Sequence, residues 1–266
     1  MGHSPQNMPI EKEQLVADLR QLGIQTGDTI LVHSSLKSLG PVNGSSITVI
    51  EALLEAISPE GTLLMPSFQA GAEFYLVDRG CRFEIKNTPS DCGVITETFR
   101  KMPGTIRSLN PTHCTAGYGP LARKLLSGHE KCRISVGCGS PYHRLAQRNS
   151  KILLLGVTHT VNTMLHLVEN TNGAPTICRH EYQPVVVDVD GREMVVPMFP
   201  HMPGLPRNYQ RVDPLLAAAG IQTIGRVGQA EARLIQTMPM VEMLGRKIRR
   251  SPLFLIEPCD FSEFNQ

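Results

Sequence analysis

The stretch Ile152-Leu-Leu-Leu-Gly-Val-Thr-His-Thr-Val-Asn-Thr-Met-Leu-His-Leu-Val-Glu169 constrains the fold more than any other part of the chain. Four apolar residues ending at Gly156 read as a strand covered on both faces, the pattern of a parallel sheet flanked by helices. A short polar loop then leads into a helical segment carrying His166 and Glu169, which lie three residues apart and so share one face. Open α/β sheets bind their ligands just beyond the carboxyl ends of the strands. The unit therefore predicts both a sheet and the position of a site. Its bland alternative is a solvated surface pair.

Length and charge narrow the class. At 266 residues and 41% hydrophobic, the chain can bury a sizeable core in one large domain or two unequal ones. A formal charge of +2, with no basic run interleaved with aromatics, argues against nucleic acid as a partner. No apolar run approaches the roughly 20 residues needed to span a bilayer, and the first 20 residues lack a signal-peptide core. A cytoplasmic protein is expected, with a homo-oligomer left open. The cysteines at 81, 92, 114, 132, 138, 178 and 259 contain no C-x-x-C and read as reduced thiols. Met1-Gly-His-Ser4 is set aside as an appended leader.

Periodicity predicts alternating elements. Glu11 to Leu22 is a helix capped by Gly23, Thr29 to His33 a strand, Ile47 to Ile57 a helix capped by Ser46, and Thr62 to Met65 a strand. Residues 68 to 92 show no clear period and read as a long site-lining loop. A helix at Val94 to Arg100, a short strand near Thr105 to Ser108 and a helix from Gly119 to Leu126 lead to the 152–169 unit. Beyond Pro175 the texture changes: Gln183 to Pro197 alternates around Asp190-Gly191, a hairpin signal. Pro197 to Pro206 reads as a rigid loop; Tyr209 to Ala219, Gln222 to Val227 and Ala230 to Leu244 read as helix, strand and helix, and Leu253 to Ile256 as a last strand. The expectation is an α/β fold over residues 10–258: a mostly parallel central sheet with flanking helices and a small hairpin-containing lobe at about 176–205.

Six segments together carry a resemblance: Val32-His-Ser-Ser-Leu-Lys-Ser-Leu-Gly40, Glu60-Gly-Thr-Leu-Leu-Met-Pro-Ser-Phe68, Arg107-Ser-Leu-Asn-Pro-Thr-His113, Gly139-Ser-Pro-Tyr142, Ile152 to Glu169, and Gly225-Arg-Val-Gly-Gln-Ala230. In this order they resemble the aminoglycoside N(3)-acetyltransferases, the antibiotic N-acetyltransferase family. The resemblance implies an α/β fold distinct from the common acetyltransferase fold. It also implies acetyl-coenzyme A as donor, an amine as acceptor, and direct transfer in a ternary complex.

The residue types suit such roles. Amine attack on a thioester needs a base, and a neutral imidazole, with an ordinary pKa of about 6.5, serves at neutral pH. His166 is the expected base. Glu169 has two readings, as the carboxylate that orients the imidazole or as a holder of the substrate's ammonium. The family's second acidic residue falls here on Gln210 or Arg211, which leaves Asp213 or Glu169 to support the histidine. Ser34, Ser35, Lys37 and Ser38 follow a strand and offer hydroxyls, backbone N–H groups and charge to the donor; their plain reading is a helix cap. Arg107 and Ser108 are expected to contact the same cofactor, joined by Asn110 (often His in the family), His113 and Cys114 (at a usual serine position). Cys114 as an acyl carrier is disfavoured. Glu73, His201 and Asp213 are assigned to the acceptor, whose several ammonium groups, in an aminoglycoside, call for carboxylates; Asp78, Asp91 and Glu181 are further candidates. His33 reads as a structural histidine.

Two rival classes remain. A metal-dependent hydrolase would draw ligands from His166, Glu169, His159, His180 and Glu181, but no tight ligand spacing is present, and no metal is expected. A non-catalytic coenzyme A-binding protein is the other. A non-aminoglycoside amine is the alternative acceptor.

Overall fold

The computed structural model describes residues 8–148 and 150–261, so the leader set aside above lies outside the described residues. In chain order the elements are α1 (Lys12–Leu22), β1 (Thr29–Ser34), α2 (Ser45–Ile57), β2 (Thr62–Pro66), α3 (Glu73–Asp78), β3 (Arg82–Glu84), α4 (Val94–Phe99), β4 (Ile106–Arg107), β5 (Thr115–Tyr118), α5 (Ala122–Leu126), α6 (Pro141–Gln147), β6 (Lys151–Leu155), α7 (Met164–Asn172), β7 (Val185–Val187), β8 (Glu193–Val195), α8 (Asp213–Ala218), β9 (Gln222–Val227), β10 (Ala230–Gln236) and α9 (Thr237–Arg250).

Alternation within strands builds the layers. Successive strand residues point to opposite faces. Ile30, Val32, Leu63, Met65, Leu153 and Leu155 therefore join the core under α1, α2 and α4, while Leu31, Leu64, Ile152 and Leu154 join the core under α5, α6, α7 and α9. The near-unbroken apolar runs of β1, β2 and β6 follow from this double coverage. Each such leucine or isoleucine contributes about 1.5–3 kcal/mol through burial.

The main sheet has the order β4-β5-β2-β1-β6-β10-β9. β1 pairs in parallel with β2 and β6, and the flanking pairs are antiparallel. Tracing those pairings makes β5 and β10 the reversed strands, so five of the seven point one way. This is the mostly parallel sheet expected. The smaller sheet, β3-β7-β8, contains the expected hairpin. Its first strand comes from Arg82–Glu84, well outside the range 176–205, and its Phe83 and Val186 pack with Cys114 beside the main sheet.

Several boundaries differ from the sequence reading, each for a physical reason. Ala230 to Leu244 is not one helix: its first half is β10, sandwiched antiparallel between β6 and β9, whose backbone groups outweigh the helix propensity of Ala, Glu, Arg and Leu. Residues 68–92 hold α3 and β3 rather than loop alone. Ser46 does not cap α2, which starts one residue earlier after Gly44; its hydroxyl instead lies 2.8 Å from Thr98 Oγ1. Leu253 to Ile256 supplies only a bridge from Ile256 to Arg207. β5 and α6 escaped the sequence reading. Among the described residues no helix is long and apolar enough to cross a membrane.

Candidate active site

β1, β2 and β6 end on one side, at Ser34, Pro66 and Leu155, and Ser34 pairs directly with Leu155. Beyond these ends lies a cavity of about 500 Å³ lined by His33, Ser34, Phe68, Asp91, His113, Val157 and Thr160 to Thr163, with His166 and Tyr209 among its walls. The chain reaches it from β6 through a turn at Gly156 and a 3-10 turn, His159–Val161, before α7 begins. Asn162 Oδ1 accepts the Met164 N–H at 3.2 Å and so starts that helix.

His166 and Glu169 do share a face of α7, and they touch. His166 Nδ1 lies 3.3 Å from Glu169 Oε2 and 2.9 Å from the Tyr209 hydroxyl, which donates to the same oxygen at 2.8 Å; Arg207 Nε donates to it at 3.1 Å. With its proton given to Glu169, Tyr209 offers His166 only a lone pair. The imidazole proton is therefore assigned to Nδ1, which leaves Nε2 as the acceptor.

Electrostatics agree with that assignment. Burial, helped by neighbouring His201, drives His166 down to about 3 against the pull of Glu169, although a fifth of its side chain faces the cavity. The imidazole is neutral throughout the physiological range. Glu169 is fully buried, which raises its pKa, but the His166 hydrogen bond and Arg207 overcome this and hold it at about 2.

A second buried carboxylate lies nearby. Glu73 Oε1 accepts from Thr112 Oγ1 at 2.7 Å and Ser135 Oγ at 2.6 Å and lies 3.1 Å from His113 Nδ1. Its Oε2 accepts the His201 backbone N–H at 2.8 Å and contacts His201 Nδ1. Burial opposes ionisation, yet His113 and His201 outweigh it and hold Glu73 well below the usual carboxylate range. The His113 and His201 rings lie 6.0 and 4.3 Å from that of His166, centroid to centroid. Glu73, His113 and His201 also present metal-ligand atoms within 4.8 Å of one another; the hydrogen bonds account for all three side chains.

The acceptor assignments shift accordingly. Glu73 and His201 are buried and engaged with each other rather than open to a ligand. Asp213 does not reach His166: its carboxylate takes a fork from Arg233 at 2.8 and 3.1 Å and the Gln222 amide at 2.7 Å. Glu169 is the carboxylate that does. Glu181 pairs with Arg133 near the surface, which leaves Asp91 as the carboxylate in the cavity wall. Of the hydrolase ligands expected from sequence, only His166 and Glu169 meet; His159 bonds Gln222, His180 lies edge-on to Tyr182 and Glu181 pairs with Arg133.

The donor-side residues divide. Ser34 lines the cavity, whereas Ser35 donates its N–H to Leu155 O at 2.9 Å, Ser38 bonds Ser35 through their hydroxyls at 3.0 Å, and Lys37 is exposed. Arg107 and Ser108 border a different cavity that shares no lining residue with the first. The Arg107 guanidinium donates to the carbonyls of Ile85, Thr88 and Ser67 at 3.0, 2.8 and 2.6 Å and stacks on Phe83. Ser108 Oγ accepts Thr115 N–H and meets His129 Nδ1. Asn110 Oδ1 accepts the Thr112 and His113 N–H groups, which shapes the turn that points His113 inward. Cys114 is buried, its thiol donating to Ser108 O, and burial pushes its pKa up, the opposite of an activated nucleophile. Tyr209, Arg207, Ser135 and Thr112 were missed. Arg207 and Tyr209 follow the Pro-rich loop and Thr112 adjoins His113, whereas Ser135 carried no such signal.

A family model described as aminoglycoside 3-N-acetyltransferase matches residues 31–248. The chain belongs to that family. An aminoglycoside N(3)-acetyltransferase IV from Salmonella sp is 32% identical over 248 residues, covering 93% of this chain and 90% of its own length. The crystal structure of aminoglycoside acetyltransferase AAC(3)-IVa, as a histidine-to-alanine mutant in complex with a gentamicin, superposes with a TM-score of 0.82 at 29% identity, covering 96% of this chain and 94% of the other. AAC-IIIb, solved as a binary complex with CoASH, shares the fold at a TM-score of 0.81 and 23% identity, covering 95% of this chain and 100% of the other.

Proposed function

We propose that this family member transfers acetyl from acetyl-coenzyme A to an amine of an aminoglycoside, with His166 as general base. The observation that carries the reading is the His166 imidazole, its proton fixed on Nδ1 by Tyr209 and Glu169 and its Nε2 left free in a cavity at the strand ends. The amine nitrogen attacks the thioester carbonyl, the C–N bond forms, and the C–S bond breaks. Nε2 takes the proton released by nitrogen, and that proton ends on the departing thiolate as free coenzyme A. Glu169, buried and held by Arg207, stabilises the transient imidazolium rather than gripping substrate. Ser34 and the turn through Ser38 receive the donor; Arg107, Ser108 and Asn110 brace the loop that carries His113.

A screen of amines for release of free coenzyme A tests the activity. His166→Ala should lower kcat by about 10²–10⁴-fold with coenzyme A affinity nearly unchanged; near-normal turnover of the folded variant sinks the assignment. Asp91, the sole carboxylate among the cavity's lining residues, favours a second reading in which the acceptor carries fewer positive charges than an aminoglycoside. Turnover of monoamines with none of aminoglycosides would select it.

A further inference from the structure

We infer that His113 accepts the second N–H of the attacking amine and so restricts the acceptor to primary amines; the inference deepens the transferase reading above and rests on it. An unprotonated primary amine carries one lone pair and two N–H bonds. The lone pair must face the thioester carbonyl, and His166 Nε2 takes one hydrogen. The other hydrogen calls for an acceptor in the same cavity. His113 lines that cavity with 11% of its side chain exposed. Its Nε2 has no hydrogen bond to any described residue, and it is not sealed from solvent as His33 Nε2 is. A histidine serving only the core looks different: His129 has both nitrogens engaged, by Ser108 Oγ and Ser135 O.

The ring is set as that of His166 is. Thr112 Oγ1 and Ser135 Oγ both give their protons to Glu73 Oε1, so the Ser135 hydroxyl, 2.8 Å from His113 Nδ1, offers it only a lone pair. Nδ1 therefore carries the hydrogen, toward Ser135 and Glu73, and in the neutral ring Nε2 is the acceptor. Two separate histidine–carboxylate pairs, His166 with Glu169 and His113 with Glu73, thus turn Nδ1 into the protein and leave Nε2 to one cavity. A tetrahedral nitrogen donating along two bonds to imidazole nitrogens about 3 Å away sets the ring centres about 6–7 Å apart. The two rings lie 6.0 Å apart, and the edge contact of His113 with Phe68, at 4.7 Å, fixes its plane. As attack proceeds the nitrogen gains positive charge and both its N–H bonds become stronger donors, so the bond to His113 tightens in the transition state. A secondary amine has only one such hydrogen, already claimed by His166.

The test compares an amine that supports coenzyme A release, gentamicin being tried first, with the same amine methylated on the reacting nitrogen. Wild type should favour the primary amine in kcat/KM by about 10–100-fold, because the methylated amine leaves His113 Nε2 unpaired. His113→Phe keeps a ring beside Phe68 and removes both nitrogens. It should bring the ratio of the two amines to within about threefold of one, lower kcat for the primary amine by about tenfold and leave calorimetric coenzyme A affinity unchanged. A purely structural loss would slow both amines alike, and a ratio that stays at the wild-type value in the variant overturns the inference. Should His113→Phe not fold, His113→Asn, which keeps a donor toward Glu73 but is too short to reach the amine, is read by the same ratio. Wild-type turnover with no preference for the primary amine sinks this inference alone, whereas no coenzyme A release with any amine sinks the transferase reading and this inference with it.

Discussion

Because Tyr209 gives its hydroxyl proton to Glu169, the Nδ1–H tautomer of His166 depends on a lone pair rather than on a charge. Tyr209→Phe would leave Nδ1 with only the longer contact to Glu169, freeing the ring to rotate or change tautomer. A kcat loss of about tenfold at unchanged acetyl-coenzyme A KM is expected; a change confined to KM in steady-state kinetics would contradict it. Glu169→Gln should lower kcat by about 10–100-fold because the imidazolium loses its counter-charge, and a raised acceptor KM with kcat intact would return Glu169 to substrate binding. pH offers an independent check. With His166 at about 3, a base is available at any higher pH, so the acid limb of kcat/KM cannot lie near the ordinary histidine value. The limb should track the acceptor amine and move when an acceptor of different amine pKa is used. A limb fixed near pH 6.5 for two such acceptors would refute the neutral-base assignment.

At the scale of elements, the β6–α7 unit was legible because both signals were local: an apolar run closed by glycine, then a helical spacing of three. Gly156 shows why that glycine is needed. Its φ is +69°, and a Cβ there would lie 2.5 Å from Ser38 Cβ and 3.2 Å from Ala230 Cβ. Gly156→Ala should therefore destabilise the fold by about 1–3 kcal/mol, combining backbone strain and overpacking; equal midpoints in urea unfolding would disprove it. What the sequence concealed was long-range. β10 looks helical in isolation and becomes a strand only because β6 and β9 lie on either side of it. Arg207 and Tyr209 reach Glu169 from 38 and 40 positions away, and His201 reaches Glu73 from 128. Glu73 and His201 were visible as residue types, but a carboxylate buried among two imidazoles reads in sequence just like one waiting for a ligand.

Across the whole molecule, three histidines in different places, His33, His129 and His166, are each lowered to about 3, burial being the largest cause. In the unfolded chain all three would titrate near 6.5. A depressed folded pKa means that the unfolded chain binds more protons between those values, so the stability they contribute is complete above about pH 6.5 and is lost as pH falls toward 3. Glu97 and Glu169, both held at about 2, add the same sign of effect below about pH 4.5. Arg100 accounts first for Glu97, and the His166 bond and Arg207 offset burial at Glu169. Three histidines alone allow a slope of up to about 4 kcal/mol per pH unit near pH 4–5, enough to consume a typical folding free energy within two units. Unfolding midpoints in urea should thus be level from about pH 8 to 7 and decline steeply below about pH 6, ahead of carboxylate titration. His129 separates this from catalysis, because it lies away from the cavity and bonds Ser108 and Ser135 O instead. His129→Gln, if it folds, should flatten the acid decline by about one proton's worth while leaving the pH dependence of turnover unchanged. Stability that stays level down to pH 5 in wild type would show that these imidazoles are not held neutral by the fold.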